Sequence, residues 1–360
     1  MTATTLHIVH DTGAPGSSAD YTTLVLLHGW AWHCGIFSKL IPLAKTYNTR
    51  LILVNRRDYP GSTPYTEEER ALIAPPPHDA SAEDIAAAKD NGLTFMENRA
   101  REVYDLLEDL VRREKIPPAN RTKDGRAGGI VVAGWSYAAI WMQALLAFVD
   151  SFPVHDVDLS TYVRRVVCYD VAYVLSGYPL PEDPYNPLFD STLADNEKLR
   201  AFCWWVSGYY SHGDTPETHE KRTPLDSPAP TFSTLSRDDI AACMHAAPGE
   251  VGGSDSNLLY SALPTGLFAI LRGRALRLGH GDSGSRWRDV ELRWVWGGRS
   301  EWQVAYGMWM LRAELRESKE RDEQLRDIRI VKIEKANHFV HWDNPDWAMR
   351  SLLGDEDVVA

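Results

Sequence analysis

Val131-Val132-Ala133-Gly134-Trp135-Ser136-Tyr137-Ala138 runs an apolar strand into Gly-x-Ser-x-Ala and on into a helical pattern. A serine acting as a nucleophile must expose its hydroxyl above a strand end, on a turn so tight that the residues two before and two after are small. Gly134 and Ala138 meet that demand, and the following helix aims its N-terminal amides at negative charge developing near Ser136. The same five residues also suit a serine that only caps a helix.

Three further stretches supply context. Leu24-Val25-Leu26-Leu27-His28-Gly29-Trp30 reads as a buried strand ending in His-Gly-Trp. Val54-Asn55-Arg56-Arg57-Asp58-Tyr59-Pro60-Gly61-Ser62 follows a second strand. Lys335-Ala336-Asn337-His338-Phe339-Val340-His341-Trp342 follows the last strand and precedes Asp343-Asn344-Pro345 and a helix. In this order the motifs resemble the α/β-hydrolase fold superfamily, in its branch with a helical cap after the sixth strand. The resemblance covers nearly the whole chain and speaks to the fold more than to the substrate.

The resemblance implies Ser136 as nucleophile and His338, rather than its neighbour His341, as general base. It implies an oxyanion hole made of the backbone amides of Trp30 and Tyr137. His28 would brace that loop. His28, Trp32, His33 and Trp135, with Trp204 and Trp205 from the aromatic run Phe202–Tyr210, are expected around the substrate, although Trp32 equally suits the core. The usual acid of the family falls in a loop that here reads Trp296-Gly297-Gly298-Arg299-Ser300-Glu301-Trp302, with a serine at the expected place. Asp170, ending Val167-Cys168-Tyr169-Asp170, is the preferred acid because some branches place it there, and Glu301 is the alternative. Serine at the elbow argues against the carboxylate-nucleophile chemistry of epoxide hydrolases and haloalkane dehalogenases.

These residues need a scaffold, and the chain outlines one. Short apolar strands at Leu24–Leu27, Leu51–Val54, Gly129–Ala133, Val166–Tyr169, Leu292–Trp296 and Ile328–Ile333 alternate with helical patterns, among them Phe95–Val111, Tyr137–Val149 and Trp302–Ser318. That rhythm predicts an α/β fold with a mostly parallel, doubly wound sheet. Two stretches interrupt it: 65–91, with a helix-like Ala80–Lys89, and 176–288. The latter holds helical patterns at Ala194–Tyr210, Arg237–Ala246 and Asn257–Leu276 and no strand signal. The expected division is a core of residues 1–175 and 289–360 with an all-helical cap at 176–288.

Composition narrows the partners. The 360 residues are 44% hydrophobic and 24% charged, ordinary for a globular chain. A net charge of −12 disfavours phosphate backbones and anionic membranes. No cofactor motif, metal cluster or secretory signal stands out, and the four separated cysteines read as free thiols of a cytoplasmic protein. The acidic run Glu67-Glu68-Glu69 and the mixed run Arg316–Arg326 read as solvated helix faces. Thirteen tryptophans and fifteen tyrosines suit an aromatic or otherwise hydrophobic small-molecule substrate. The expected activity is hydrolysis of an ester, lactone or activated amide. The alternatives are a cofactor-free dioxygenase or a lyase using a His338–Asp170 base pair, or a non-catalytic binding protein on the same fold. Oligomeric state is left open.

Overall fold

The computed structural model describes residues 5–16, 18–122, 125–278 and 285–354. Its strands are β1 (His7–Asp11), β2 (Thr22–Leu27), β3 (Thr49–Asn55), a hairpin of β4 (Asn120–Thr122) and β5 (Gly125–Ala127), β6 (Ile130–Trp135), β7 (Val163–Tyr169), β8 (Glu291–Gly297) and β9 (Ile328–Ile333). Seven of them form one sheet in the order β1-β3-β2-β6-β7-β8-β9. All pairs are parallel except β1 with β3. Every residue of β2, β3, β6, β7 and β8 is buried, as a sheet covered on both faces requires. The edge strand β1 alternates exposed and half-buried residues. It carries no apolar run, so the sequence reading passed over it.

The chain leaves β2 for β3 on one side and returns to β6 on the other. The carboxyl ends of β2 and β6 thus flank a topological switch point, where open α/β sheets leave a crevice for ligands. Leu27 of β2 pairs with Gly134 of β6, so His28–Trp30 emerge beside Trp135 and Ser136.

Helices cover both faces. A 3₁₀ segment, Cys34–Leu43, links β2 to β3. After β3 come α1 (Glu67–Ala71) and α2 (Ala82–Glu114). The two helical stretches expected at Ala80–Lys89 and Phe95–Val111 are one helix of 33 residues, opened by a Ser81–Asp84 capping box and closed at Lys115. The helix runs unbroken through Gly92, where Leu267 packs so closely that a Cβ would lie 2.9 Å from the leucine Cδ2. In the acidic run Glu67 and Glu68 are exposed, as a solvated face requires, whereas Glu69 completes a capping box with Thr66 and pairs with Arg57 and Arg99. In the mixed run, Arg326 is buried and donates to the carbonyls of Trp287 and Leu146.

Helix α3 (Ala139–Phe148) follows β6. Between β7 and β8 lie α4 (Asp195–Val206), α5 (Thr231–Thr234), α6 (Arg237–Cys243), α7 (Ser254–Thr265) and α8 (Leu267–Leu276). The single helix expected over 257–276 is divided at Gly266, where φ is +66°. Helices α7 and α8 pack on α2 and α3, and their Leu258, Ala262, Phe268 and Leu271 join the same apolar cluster as the sheet. The chain ends in α9 (Trp302–Glu320), α10 (Val340–Asp343) and α11 (Pro345–Leu353). All four cysteines are free and buried. Among the described residues no helix is long and apolar enough to cross a membrane, and no group of His, Cys, Asp or Glu has the geometry of a metal site.

Candidate active site

At the end of β6, Ser136 takes φ +53°, the left-handed region that non-glycine residues rarely enter. A 3₁₀ turn, Ser136–Ala138, then leads into α3. The turn leaves no space for a side chain at Gly134, where a Cβ would lie 2.2 Å from the Ala138 carbonyl oxygen. A Cβ on Gly29 would lie 3.0 Å from Ser136 Cβ, so the loop after β2 rests directly against the serine. Ser136 itself is half-buried.

Asp170, at φ +52°, ends β7 and is 1% exposed. Its Oδ2 lies 2.5 Å from His338 Nδ1 and accepts from Ser300 Oγ at 2.7 Å; its Oδ1 accepts from the Gly297 amide at 2.6 Å. The serine at the place of the usual family acid therefore donates to the aspartate. With Nδ1–H directed at Asp170, His338 Nε2 is left as an acceptor. Among the described residues the contact formed is this His338–Asp170 pair, with no hydrogen bond between His338 and Ser136; catalytic contacts of this kind commonly tighten only with substrate present.

The base loop is held from two sides. Trp135 Nε1–H donates to the His338 carbonyl at 3.0 Å, and the indole centroid is 5.0 Å from the imidazole. Asn337 Nδ2–H donates to the Ser207 carbonyl and to Thr231 Oγ1, both at 2.8 Å, tying the loop to the inserted helices.

Glu301 is buried too, but its carboxylate accepts from the Gln303 amide at the first turn of α9. Burial, with the nearby Asp170 charge adding to it, pushes its pKa up to about 8. His341 lies in the core against Trp135, Phe37 and Tyr169, and desolvation drives its pKa well below the usual histidine range.

The other expected site residues separate into two groups. His28, Trp32, Trp135 and Trp205 are buried. The His28 Nδ1–H donates to the Gly29 carbonyl, Nε2 accepts from the Arg56 amide, and burial with the Arg56 charge keeps the ring neutral. Trp32 packs on Phe339; Trp135 braces the base loop from below; Trp205 packs against Phe202 and Tyr185 and donates to the Lys221 carbonyl. In this structure all four side chains are engaged in core packing and hydrogen bonds. Trp30 and His33 are half-buried on the loop after β2, where Trp30 meets Tyr137 edge to face at 5.1 Å. Trp204 is 44% exposed on α4.

Sequence reasoning missed Asp255. Arg56 is fully buried, and its guanidinium binds both Asp255 oxygens, at 2.8 and 2.7 Å, and the carbonyls of His28 and Gly29, both at 3.0 Å. Asp255 opposes the desolvation of Arg56 and holds its pKa above the usual arginine value. Arg56 lies in a motif that the sequence shows; Asp255 is 199 residues away with no local signal.

A serine with a left-handed backbone at a strand–helix turn by a switch point, on a sheet whose later strand ends carry a buried His–Asp pair, is the site geometry of an α/β-hydrolase fold. A model of the alpha/beta hydrolase family matches residues 24–350, and the chain belongs to that family. Among solved structures the chain is similar to an esterase from Exiguobacterium antarcticum (12% identity, 96% of this chain and 93% of that one, TM-score 0.48). It is also similar to a bromoperoxidase from Bacillus anthracis (14% identity, 96% and 94%, TM-score 0.45). A third is a lipase-esterase related protein from Clostridium acetobutylicum (14% identity, 96% of both chains, TM-score 0.43). No curated protein matches by sequence.

Proposed function

We propose that the protein is a serine hydrolase that cleaves an ester, lactone or activated amide of a hydrophobic or aromatic small molecule. His338 Nε2 takes the Ser136 proton as Oγ attacks the carbonyl carbon, and Asp170 orients and stabilises the resulting imidazolium. The amides of Trp30 and Tyr137 receive the oxyanion. Collapse of the tetrahedral intermediate returns the proton to the leaving group and leaves an acyl group on Ser136. Water, deprotonated by the same histidine, then releases the acid.

The observation that carries this reading is the positive φ of Ser136 at a turn tight enough to demand Gly134, on a chain that also pairs His338 with Asp170. A serine that merely capped a helix would need neither. A fluorophosphonate probe tests it: the wild type is expected to be labelled at Ser136, and Ser136→Ala and His338→Ala to be unlabelled. An unlabelled wild type that is folded counts against nucleophilic catalysis.

The acid at the end of β7 also supports a second reading, in which the His338–Asp170 pair deprotonates a heteroaromatic substrate for cofactor-free dioxygenation or serves a lyase. Oxygen uptake with such a substrate that survives Ser136→Ala but not His338→Ala would select the dioxygenase.

A further inference from the structure

The loop after β2 and the turn after β6 lie on different strands, yet one residue of the inserted helices is linked to both, to the turn directly and to the loop through Arg56 and Tyr59. Asp255 sits in the first turn of α7 and is 2% exposed. Its two carboxylate oxygens grip Arg56, whose guanidinium also donates to the carbonyls of His28 and Gly29 and to Tyr59 OH and lies over the Tyr137 and Trp141 rings. Tyr59 OH donates to Asp255 Oδ2 at 2.7 Å and accepts from the Ala31 amide at 3.1 Å. The Asp255 backbone carbonyl accepts from Tyr137 OH at 2.7 Å.

Planar peptides turn these contacts into directions. In a trans peptide the C=O of one residue and the N–H of the next point oppositely. The Gly29 carbonyl is turned inward by Arg56 and by His28 Nδ1–H. The Trp30 N–H must then face away from that buried cluster, and Gly29 already lies against Ser136. On the other strand, the Tyr137 side chain is anchored by its hydroxyl, and its ring carries Trp30 edge to face. The backbone of the loop is further pinned to the cap: His33 N–H donates to the Cys243 carbonyl at 2.7 Å, and His245 N–H to the Ala31 carbonyl at 2.8 Å.

We propose that Asp255 is a positioning residue that sets the direction of both oxyanion-hole amides, through Arg56 and Gly29 on one side and through Tyr137 on the other. It couples the seating of the α7 helix to transition-state stabilisation. A buried ion pair contributes little net stability over apolar packing of the same volume. Its distinctive property is the fixed planar fork of arginine, which orients two carbonyls and a carboxylate together. The proposal rests on the serine-hydrolase reading above.

The test uses the full chain, a fluorophosphonate and a short-chain p-nitrophenyl ester. Asp255→Asn retains the backbone carbonyl but weakens the fork. It is expected to cut kcat and the rate of Ser136 labelling by roughly 10- to 100-fold with KM little changed, below the full loss of an oxyanion donor. Asp255→Glu should recover part of that loss. Tyr137→Phe leaves the ion pair intact and removes only the second arm, so it keeps the proposal testable if Asp255→Asn fails to fold. A several-fold fall in kcat at constant KM is expected. A change confined to melting temperature or KM would mean a merely structural role and would overturn the proposal, as would wild-type kinetics in both variants. An unlabelled, folded wild type instead removes the hydrolase reading, and the positioning role with it.

Discussion

Ser136 and Asp170 both hold a left-handed backbone, which costs an L-residue about 1–2 kcal/mol. At Ser136 that backbone comes directly after the end of β6, at the turn into α3. Replacing the serine by glycine removes the strain and the nucleophile together. Ser136→Gly is therefore expected to be more stable than Ser136→Ala by about 1 kcal/mol, read by denaturant unfolding, with neither variant labelled. Asp170 satisfies three donors with two oxygens, and an amide in its place must turn an NH₂ toward one of them. Asp170→Asn is expected to lower aryl-ester turnover by about 10⁴-fold with unchanged circular dichroism. If Glu301→Gln has this effect and Asp170→Asn does not, the assignment of the acid is reversed.

Each strand end presents its residue because the element after it is capped or pinned. Glu301 shows what that requires at the start of α9. Folded, it gives up its proton near pH 8 rather than at its ordinary value of 4.5. Between those values the folded state holds a proton that the unfolded state has lost, so its contribution to stability falls as pH rises through the window and is constant above it. Glu301→Gln keeps an acceptor for the Gln303 amide and has no such titration. The melting temperature of the variant relative to wild type should climb from pH 5 to pH 8.5. A difference that stays flat over that range would show that Glu301 ionises normally in the fold.

At the scale of the whole molecule, the inserted helices and the sheet share one apolar cluster, and the Arg56–Asp255 pair and the Asn337–Ser207 bond cross between them. Neither part can open without exposing the other's apolar surface. Unfolding is expected as a single transition, with tryptophan emission and far-UV dichroism superimposed. Tryptophans lie in both parts, Trp204 and Trp205 in the insertion and Trp135, Trp141 and Trp294 in the core, so a separately melting insertion would split the fluorescence curve.

The strands at the centre of the sheet were legible because burial on both faces writes an unbroken apolar run, as in Leu24–Leu27 and Val131–Ala133. The elbow was legible because its steric demand falls on Gly134 and Ala138, two places from the serine. Those are local constraints, and a local stretch of sequence records them. The edge strand β1 pays no such burial cost and left no pattern. Two acids remained open in the sequence, since Asp170 and Glu301 both precede His338; pairing β7 beside β8 brought Asp170 to the histidine and made Glu301 a helix cap. Tertiary packing likewise buried Trp135 and Trp32, the latter on the core side of the two places its sequence allowed, and joined Asp255 to Arg56. A contact between residues 199 apart exists only once the chain has folded, because its chemistry depends on which surfaces burial brings together rather than on which residues are neighbours in the chain.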